Sequence, residues 1–552
     1  MTVDLPVSVC QRDGRVVPFE ADRICQSIFR ATEVLGQPNA FLAREMTDGV
    51  LHFLAQEHGT GSPTTAQIAD LVVKVLRELG QPLLAQGMAH ESDITGQRQG
   101  TGDQDNDVIE TLTLPSFTDK TPEQFLDDCR RLYSQHGVLS RDLLAAQNEG
   151  FLSLAGLERP GELAGGVIPW TGQEDESLLA AILEARRRFG GFIVLDSPEI
   201  ALAKSKNAPE AIRNFVRELG QGLEATGLKA IVNLDAQEPP AWANQGGQGP
   251  LFPAGDGISG TGLASVRHSL LQSLLENSTA AGRVRIDWHL GESDIQSSDI
   301  GLSMALTAAS QGQPVSFVFD RAKMAHALAE GVDRRHPAVL QVTGLHLNRL
   351  ADMDGNLDHF LQKLLHLAQM ALSAGVQKRR FLRHNAERNG SQAEDLRRGF
   401  FLDRARLCVI PVGLPAVVQR FAGQSITGKE GMVLARQIVE RLGECLTKAG
   451  RSLNLDAVLD SPWWMGAQTG EGTMFSQPHL VGLTSAAFAG SAEEQLRAAG
   501  SLHQLAGGGT GTLLLPADLL GNIDRLVQIL QFAWKKSAVV RVRLLGVTGG
   551  FV

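Results

Sequence analysis

The sequence predicts an α/β protein in which a small helical unit precedes a large domain of alternating strands and helices. Short apolar runs typical of strands alternate with amphipathic helical patterns from about residue 120 to the end. The 59 glycines among 552 residues stand mostly in clusters between these runs, as strand-to-helix turns require. This alternation favours a parallel or mixed sheet with crossover connections, either an α/β barrel or a doubly wound domain.

The strands and helices of the large domain are predicted from residue type and from hydrophobic period. The predicted strands are Phe192–Leu195, Ala230–Leu234, Val284–Leu290, Val315–Phe319, Val339–Leu347, Leu407–Val412 and Thr512–Leu515. The predicted helices cover residues 122–135, 176–189, 208–222, 263–276, 357–374, 430–448 and 522–534. Asp287 and His289 are two residues apart on one predicted strand, so they share a face and are interpreted as satisfied polar groups pointing inward.

The first 90 residues predict a compact unit of their own. Valines on both sides of Arg12-Asp13-Gly14-Arg15 predict a two-stranded ribbon with an Asp-Gly turn. Three amphipathic helices follow, and the third begins with a capping box made by Thr64 and Gln67. Residues 91–107 carry almost no apolar side chains, which predicts a flexible linker between this unit, 1–90, and a large domain over 108–552.

Composition limits the classes of function. With 51 Lys and Arg against 61 Asp and Glu, the net charge is −10, so we expect no partner among nucleic acids or anionic membranes. No window resembles a signal peptide or a membrane span. The five cysteines are at least 15 positions apart, which excludes a local zinc cluster and favours a reducing, cytoplasmic location.

The N-terminal unit resembles a known family. The string VCQRDGRVVPFEADRICQSI, followed by PTTAQIADLVVKVLRELGQPLLAQGMA, resembles the ATP-cone, a nucleotide-sensing domain of many ribonucleotide reductases and of a repressor of their genes. A turn with exposed amides, a guanidinium and a helix N-terminus can cradle phosphates. The alternative is a module kept only as an interaction surface.

The resemblance implies a set of nucleotide-binding residues. Arg12 and Arg15 would lie along the phosphates of ATP or dATP, and Mg²⁺ would accompany the triphosphate. Gln11 stands where the family has a lysine, which should weaken affinity. The remaining implied positions are Val9 at the base, Arg23 and Ile24 on the first helix, and Thr65 at the start of the third.

The large domain resembles the anaerobic (class III) ribonucleotide reductases. Four segments carry this resemblance, in the family's order: AAQNEGFLSLAGLERP, LQVTGLHLNRLADMDGNLDHFLQKLLHLAQMALSAGVQKRRFL, LCVIPVGLPAVVQRFAGQSITGKEGMVLARQIVERL, and QPHLVGLTSAA with LHQLAGGGTGTLLLP and NIDRLVQIL. The resemblance implies the ten-stranded α/β barrel of glycyl radical enzymes. It also implies a glycyl radical near the C-terminus, a thiyl cysteine in a loop inside the barrel, and a zinc site of four cysteines.

The residues of that chemistry are largely missing. The loop AEGVDRRHPAVLQV has no cysteine, and the zinc cysteines are absent, so no zinc is expected. Gly546 and Cys408 are the candidates for a glycyl radical and a thiol, although Cys408 also suits a buried core position. The basic stretch 377–406 is interpreted as a solvated helical face.

Two hypotheses follow from these patterns. In the first, the protein binds ATP or dATP in the cone, has lost radical catalysis, and acts by nucleotide sensing or regulation, with homo-oligomers formed through the cone. In the second, it is an active but divergent anaerobic ribonucleoside-triphosphate reductase that uses Gly546 and Cys408. A transcriptional regulator is disfavoured because no zinc ribbon or basic reading helix is present.

Overall fold

A computed structural model describes residues 5–11, 13–88, 120–168, 170, 172, 176–235, 260–277, 283–296, 300–321, 327–353, 355–388, 400–460 and 490–546. The linker predicted at 91–107 and Arg12 lie outside these residues. Within them, no helix is long and apolar enough to cross a membrane.

Fifteen strands can be assigned within the described residues. They are β1 Ser8–Cys10, β2 Val16–Pro18, β3 Leu152–Leu154, β4 Leu163–Val167, β5 Phe189–Asp196, β6 Lys229–Leu234, β7 Val284–Leu290, β8 Val315–Phe319, β9 Ala327–Ala329, β10 Val332–Asp333, β11 Ala338–His346, β12 Ala405–Val412, β13 Ala457–Leu459, β14 Thr510–Leu515 and β15 Arg541–Gly546.

The helices connect these strands. They are α1 Ala21–Val34, α2 Ala40–His58, α3 Thr65–Glu78, α4 Pro122–Tyr133, α5 Arg141–Asn148, α6 Leu178–Ala185, α7 Pro198–Ala203, α8 Ala208–Thr226, α9 Gly260–Asn277, α10 Glu292–Gln296, α11 Ile300–Ser310, α12 Leu347–Met353, α13 Leu357–Arg388, α14 Phe400–Arg404, α15 Leu414–Ala422, α16 Lys429–Ser452, α17 Ala492–Ala506, α18 Ala517–Leu520 and α19 Ile523–Lys536.

The N-terminal unit has the predicted ribbon and three helices. β1 and β2 pair antiparallel, with Val9 opposite Val17. The capping box of Thr64 and Gln67 starts α3, as the sequence predicts. The apolar faces of α1, α2 and α3 meet in a shared core that includes Ile28, Val50 and Val75, all fully buried. The three helices therefore pack as their hydrophobic pattern predicts.

The large domain is built on one mixed sheet, which confirms the predicted α/β class. The hydrogen-bonded path through ten strands is β13-β12-β11-β4-β5-β6-β7-β8-β15-β14, and β3 adds an eleventh strand beside β11. β4 to β8 run parallel to one another, as do β11 to β13 and the pair β14 and β15. The contacts between these blocks, β11 with β4 and β15 with β8, are antiparallel.

The sheet wraps around the hairpin formed by β9 and β10, which we call the inner hairpin. Leu328 and Val332 of this hairpin belong to one buried cluster with Phe192 on β5 and Val342 on β11. The backbone N–H of Gly331, in its turn, donates a hydrogen bond to Asp460, directly after β13. Contact with strands so far apart in the path requires the sheet to curve, as in a barrel. Among the described residues β13 and β14 share no strand pairing, so the hydrogen-bonded path is open there.

The longest helix, α13, extends beyond its predicted end at residue 374. Gly375 lies inside it, where a Cβ atom would come within 2.9 Å of the Leu455 side chain. This glycine therefore allows close packing and does not end the helix. Within the stretch 377–406, interpreted as a solvated face, Lys378 and Arg379 contradict the interpretation because they are buried, whereas the side chains of Arg380 and Arg383 are 60% and 51% exposed. Arg379 donates hydrogen bonds to the carbonyls of Leu453 and Asn454 at the end of α16.

The N-terminal unit packs directly on the large domain. α2 lies against α13 and α5, and α1 also contacts α5. The rings of Phe41 and Phe151 meet edge to face across this contact, with 5.1 Å between centroids. Polar contacts join the two parts as well, among them the ion pair of Arg141 with Glu33 at 3.2 Å and the approach of His366 Nε2 to Asp48 at 3.3 Å.

Candidate functional site

The turn of the ribbon is held by its own backbone. The Gln11 N–H donates to the Arg15 carbonyl at 2.8 Å, and the Gly14 N–H donates to the Gln11 carbonyl at 2.9 Å. Gly14 has φ +82°, a left-handed conformation that glycine adopts without strain. The Asp-Gly turn predicted from sequence is therefore present, and it fixes the backbone around Gln11.

The start of α3 lies beside this ribbon. The Cys10 N–H donates to the Pro63 carbonyl at 3.0 Å, and the hydroxyls of Ser8 and Ser62 are 2.6 Å apart. These bonds bring Thr65, in the first turn of α3, close to the residues that precede the turn. Because a helix N-terminus carries partial positive charge and unpaired N–H groups, this end of α3 favours an anion.

Two arginines of the predicted nucleotide set stand in solvent near the ribbon. The side chain of Arg15 is 82% exposed and lies 3.4 Å from Asp13. The side chain of Arg23 is 65% exposed and donates to Glu20 at 3.0 Å. In contrast, Val9 and Ile24 are buried, so their side chains pack inside the unit. Gln11 and Thr65 are half-buried.

Glu20 joins Arg23 to the large domain. Its second carboxylate oxygen pairs with Arg380 on α13 at 2.8 Å. Burial alone would raise the pKa of Glu20, but the hydrogen bond from Arg23 and the charges of Arg380 and Arg23 outweigh it and lower the pKa. One carboxylate therefore links a predicted nucleotide residue to the body of the protein.

The turn of the inner hairpin carries a carboxylate. Glu330 accepts two hydrogen bonds from Arg285 on β7, at 2.7 and 2.9 Å, and lies 3.5 Å from Arg541 on β15. Arg285 also pairs with Asp287 at 2.8 Å, and Asp287 accepts a bond from the Ser316 hydroxyl at 2.6 Å. Since all of these side chains are buried, the network satisfies charges that would otherwise be costly to bury.

A second polar cluster lies at the carboxyl ends of β5 to β8. His289 Nδ1 is 2.8 Å from Asp320, and Nε2 is 2.8 Å from the Asn233 amide oxygen. Arg334, just after the inner hairpin, pairs with Asp196 at 2.9 Å and lies 3.8 Å from Asp235. Burial lowers the pKa of His289 to about 4 despite the nearby carboxylates. Asp287 and His289 do point inward, as the sequence predicts.

This cluster includes a set of residues that could in principle ligate a metal. Ligand atoms of Asp235, His289 and Asp320 lie within 4.8 Å of one another. However, both ring nitrogens of His289 already face hydrogen-bond partners, and Arg334 places a positive charge beside Asp235. The arrangement is that of an internal network of hydrogen bonds and ion pairs, in which Asn233 Nδ2 is buried without a hydrogen-bond partner among the described residues. Sequence reasoning missed it because its members come from four different strand ends.

The two candidate radical residues occupy different environments. Cys408 is fully buried in the middle of β12, and burial raises the pKa of its thiol well above the ordinary value. A Cβ atom placed on Gly331, in the hairpin turn, would lie 3.5 Å from Cys408 Sγ. Gly546 is the last residue of β15, paired with Leu515 of β14, and is exposed.

Comparison with known proteins assigns the N-terminal unit. Residues 7–89 match the family model described as the ATP cone domain. These residues form an ATP cone. The match agrees with the ribbon, turn and capped α3 described above, and it covers the predicted unit at 1–90 almost completely. A search of curated proteins finds no match to this chain.

The large domain has the fold of the anaerobic ribonucleotide reductases. The enzyme from Thermotoga maritima with citrate in the active site is 12% identical, with a TM-score of 0.56 over 76% of this chain and 90% of that chain. Its complex with dATP and CTP is 11% identical, with a TM-score of 0.57 over 76% and 83%. The form with dATP bound in the specificity site gives a TM-score of 0.54 at 11% identity over the same shares. At such low sequence identities, these matches show a shared fold.

Proposed function

We propose that this protein senses ATP or dATP through its ATP cone and carries out no radical chemistry in its reductase-like domain. The proposed site is the ribbon turn with the start of α3. Arg12, Arg15 and Arg23 supply positive charge for a triphosphate with its Mg²⁺, and Gln11 and Thr65 supply polar contacts. Val9 and Ile24, which the resemblance also implies, pack inside the unit behind the site. No zinc takes part.

The observation that carries the proposal is the carboxylate at the turn of the inner hairpin. The resemblance to anaerobic reductases implies a thiyl cysteine in the loop inside the barrel. Here Glu330 and Gly331 occupy the turn, and two buried arginines hold Glu330 in place. A carboxylate bound in this way cannot relay a hydrogen atom as a thiol does. The chain has five cysteines in all, none of them in residues 446–552, where the zinc site of the family would lie.

The contacts of Glu20 support a route from nucleotide to body. A triphosphate at the site would compete with Glu20 for the guanidinium of Arg23. The hydrogen bond between Arg23 and Glu20 would then weaken. Glu20 also holds Arg380 on α13, so the change reaches the helix on which the cone is packed. The output of sensing would then be a shift in how the cone packs on α13, or in contacts between copies of the protein formed through the cone in the cytoplasm.

The second candidate function is that of a divergent, active reductase. The position of Cys408 beside Gly331 favours it, since a thiol does lie against the inner hairpin. In that case Gly546 and Cys408 carry the radical steps. Replacing Cys408 with alanine would then abolish nucleotide reduction, whereas unchanged turnover in the variant removes this candidate.

Calorimetric titration of the full chain with ATP and with dATP tests the sensing proposal. We expect saturable binding that Arg12→Ala weakens by roughly 1.5–3 kcal/mol, the range for a hydrogen bond to a charged group. Arg77→Ala is the matched control, because Arg77 lies in the last turn of α3, at the end away from the ribbon. No binding of either nucleotide, or equal loss in both variants, contradicts the proposed site.

A further inference from the structure

A cavity of about 280 Å³ lies at the amino ends of the first three parallel strands of the body. Leu163 begins β4, Gly190 and Gly191 belong to the start of β5, and Lys229 begins β6. Lys378 reaches the cavity from α13. The polar cluster of His289 and Asp320 lies at the carboxyl ends of β5 to β8, which is the opposite end of the sheet. The cavity is therefore a separate feature of the body.

Lys378 is the unusual residue of this cavity. Lys378 is only 5% exposed, yet its ammonium group donates no hydrogen bond and forms no ion pair with any residue that the structure describes. Burial lowers the pKa of Lys378 to about 8, although the charges of Glu158 and Glu162 oppose the effect. An ammonium group in such a position is costly unless something pairs with it.

The three acidic residues of the cavity already pair with arginines, and Asp127 lies 3.0 Å from Arg130. Glu162 pairs with Arg186 at 2.8 Å and lies 3.8 Å from Arg159. Glu158 lies 4.0 Å from Arg131. Neither carboxylate comes within ion-pair distance of Lys378, so the ammonium lacks a counter-ion while the carboxylates have theirs.

Glu162 itself is suited to the neighbourhood of an anion. Burial raises the pKa of this carboxyl to about 7, with the nearby cations opposing the shift. Because burial disfavours its charge and Arg186 pairs with it, Glu162 repels a negative ligand less than an exposed carboxylate would. Lys229, whose pKa burial also lowers to about 8, adds a second ammonium to the lining.

We propose that this cavity binds a small organic anion whose phosphate or carboxylate group is the counter-ion of Lys378. The volume lies at the lower end of the range for ligand pockets, which favours a compact ligand. Lys378 and Lys229 bind the oxyanion, and Glu162 remains paired with Arg186 beside it. The site belongs to the reductase-like body and does not depend on nucleotide binding by the cone.

Thermal unfolding of the full chain with added inorganic phosphate or malonate tests this site. We expect millimolar anion to raise the melting temperature of the wild type by about 2–5 °C, because a ligand that binds only the native state stabilises it. Lys378→Met should abolish the shift and raise the melting temperature without anion, since it replaces a buried unpaired ammonium by an apolar chain. Lys429→Met, an exposed lysine at the start of α16, is the control and should keep the shift.

The two anions distinguish the ligand class. A shift with phosphate alone assigns a phosphate ligand, with malonate alone a carboxylate ligand, and with both a general oxyanion site. The proposal is overturned if neither anion shifts the melting temperature. It is also overturned if wild type and Lys378→Met shift equally, which would locate the anion elsewhere, for example in the cone. If Lys378→Met does not fold, Lys229→Met gives the same comparison, and an undiminished shift in that variant overturns the proposal.

Discussion

Arg44 on α2 and Asp142 on α5 form a buried ion pair between the ATP cone and the body, with 2.7 Å between Nη2 and Oδ2. Arg44 also donates to Asp22 of the cone at 2.8 Å and to Ser373 of α13 at 3.1 Å. Burial alone would lower the pKa of Arg44, but its anionic neighbours, Asp142 and Asp22 among them, outweigh it and raise the pKa. One guanidinium thus fastens the ATP cone to the large domain.

Replacing Arg44 with methionine should destabilise the protein by about 3–5 kcal/mol, because Asp142 would be left buried without its partner. Adding Asp142→Asn to Arg44→Met should recover part of this loss. Chemical denaturation measures both changes. The exposed pair of Arg141 and Glu33 provides the control, and Arg141→Met should cost at most about 1 kcal/mol. Equal effects of Arg44→Met and Arg141→Met would show that the buried pair does not fasten the cone.

Gln11→Lys should strengthen triphosphate binding. The ATP-cone family carries a lysine at this position of the ribbon, and the substitution restores a positive charge next to the turn. We expect a gain of roughly 1–2 kcal/mol in the free energy of ATP binding, measured by calorimetry. The exposed Gln56→Lys on α2 controls for the change in net charge. An unaltered affinity in Gln11→Lys would place the phosphates away from the ribbon.

Glu20→Gln tests the link between nucleotide and body. The variant frees Arg23 from a carboxylate, so triphosphate affinity should rise several-fold. The pair with Arg380 is lost at the same time, and both arginines are more than half exposed, so the cost in stability should be at most about 1 kcal/mol. Arg380→Gln is the matched variant, which breaks the link to α13 but leaves Arg23 paired. If both variants bind ATP as the wild type does, Glu20 does not transmit binding.

The stability of the protein should fall as pH falls below about 6.5, and His503 on α17 contributes to this. Its Nδ1 accepts a hydrogen bond from the Val540 N–H at 3.2 Å. Burial, with smaller contributions from the charges of Arg541 and Arg321, lowers its pKa to about 3. Between pH 6.5 and 3, His503 is therefore protonated in the unfolded chain but not in the native state. Its contribution to stability is complete above pH 6.5 and is lost as the pH falls from 6.5 to 3.

The variant His503→Asn isolates this contribution. Its side-chain oxygen can accept the same bond but does not titrate. The free energy of unfolding of the wild type should therefore fall more steeply with acid than that of the variant, by about 1.4 kcal/mol per pH unit between pH 6 and 4. His384→Asn, an exposed histidine on α13, should behave as the wild type. Identical slopes in all three proteins would mean that His503 is protonated in the native state.

The sequence predicts best what depends on neighbours along the chain. The Asp-Gly turn, the capping box of α3 and the bounds of β7 and β8 follow from local residue type and period, and the structure confirms them. It predicts less well where tertiary packing overrides a local signal. The helix predicted over 357–374 continues to Arg388, and Gly375 lies inside it with Leu455 packed against its bare Cα.

The polar interior could be anticipated only in part. Asp287 and His289 are predicted to share an inward face because they stand two residues apart on one strand, and they do. The partner of His289, Asp320, lies 31 positions further along the chain, and Glu330, which binds Arg285 of the same strand, lies 45 positions from that arginine. No local period links them, so their association follows from the topology of the sheet. The same is true of the cavity around Lys378, whose basic sequence context suggests solvent.

Electron paramagnetic resonance combined with a ribonucleotide reduction assay tests the central claim most directly. The full chain is treated with a glycyl radical activating enzyme, beside an active anaerobic reductase as positive control. The account predicts no glycyl doublet and no deoxynucleotide product from this protein, in the presence of ATP bound by its cone. A doublet together with nucleotide reduction would contradict it and would assign the protein to the active reductases.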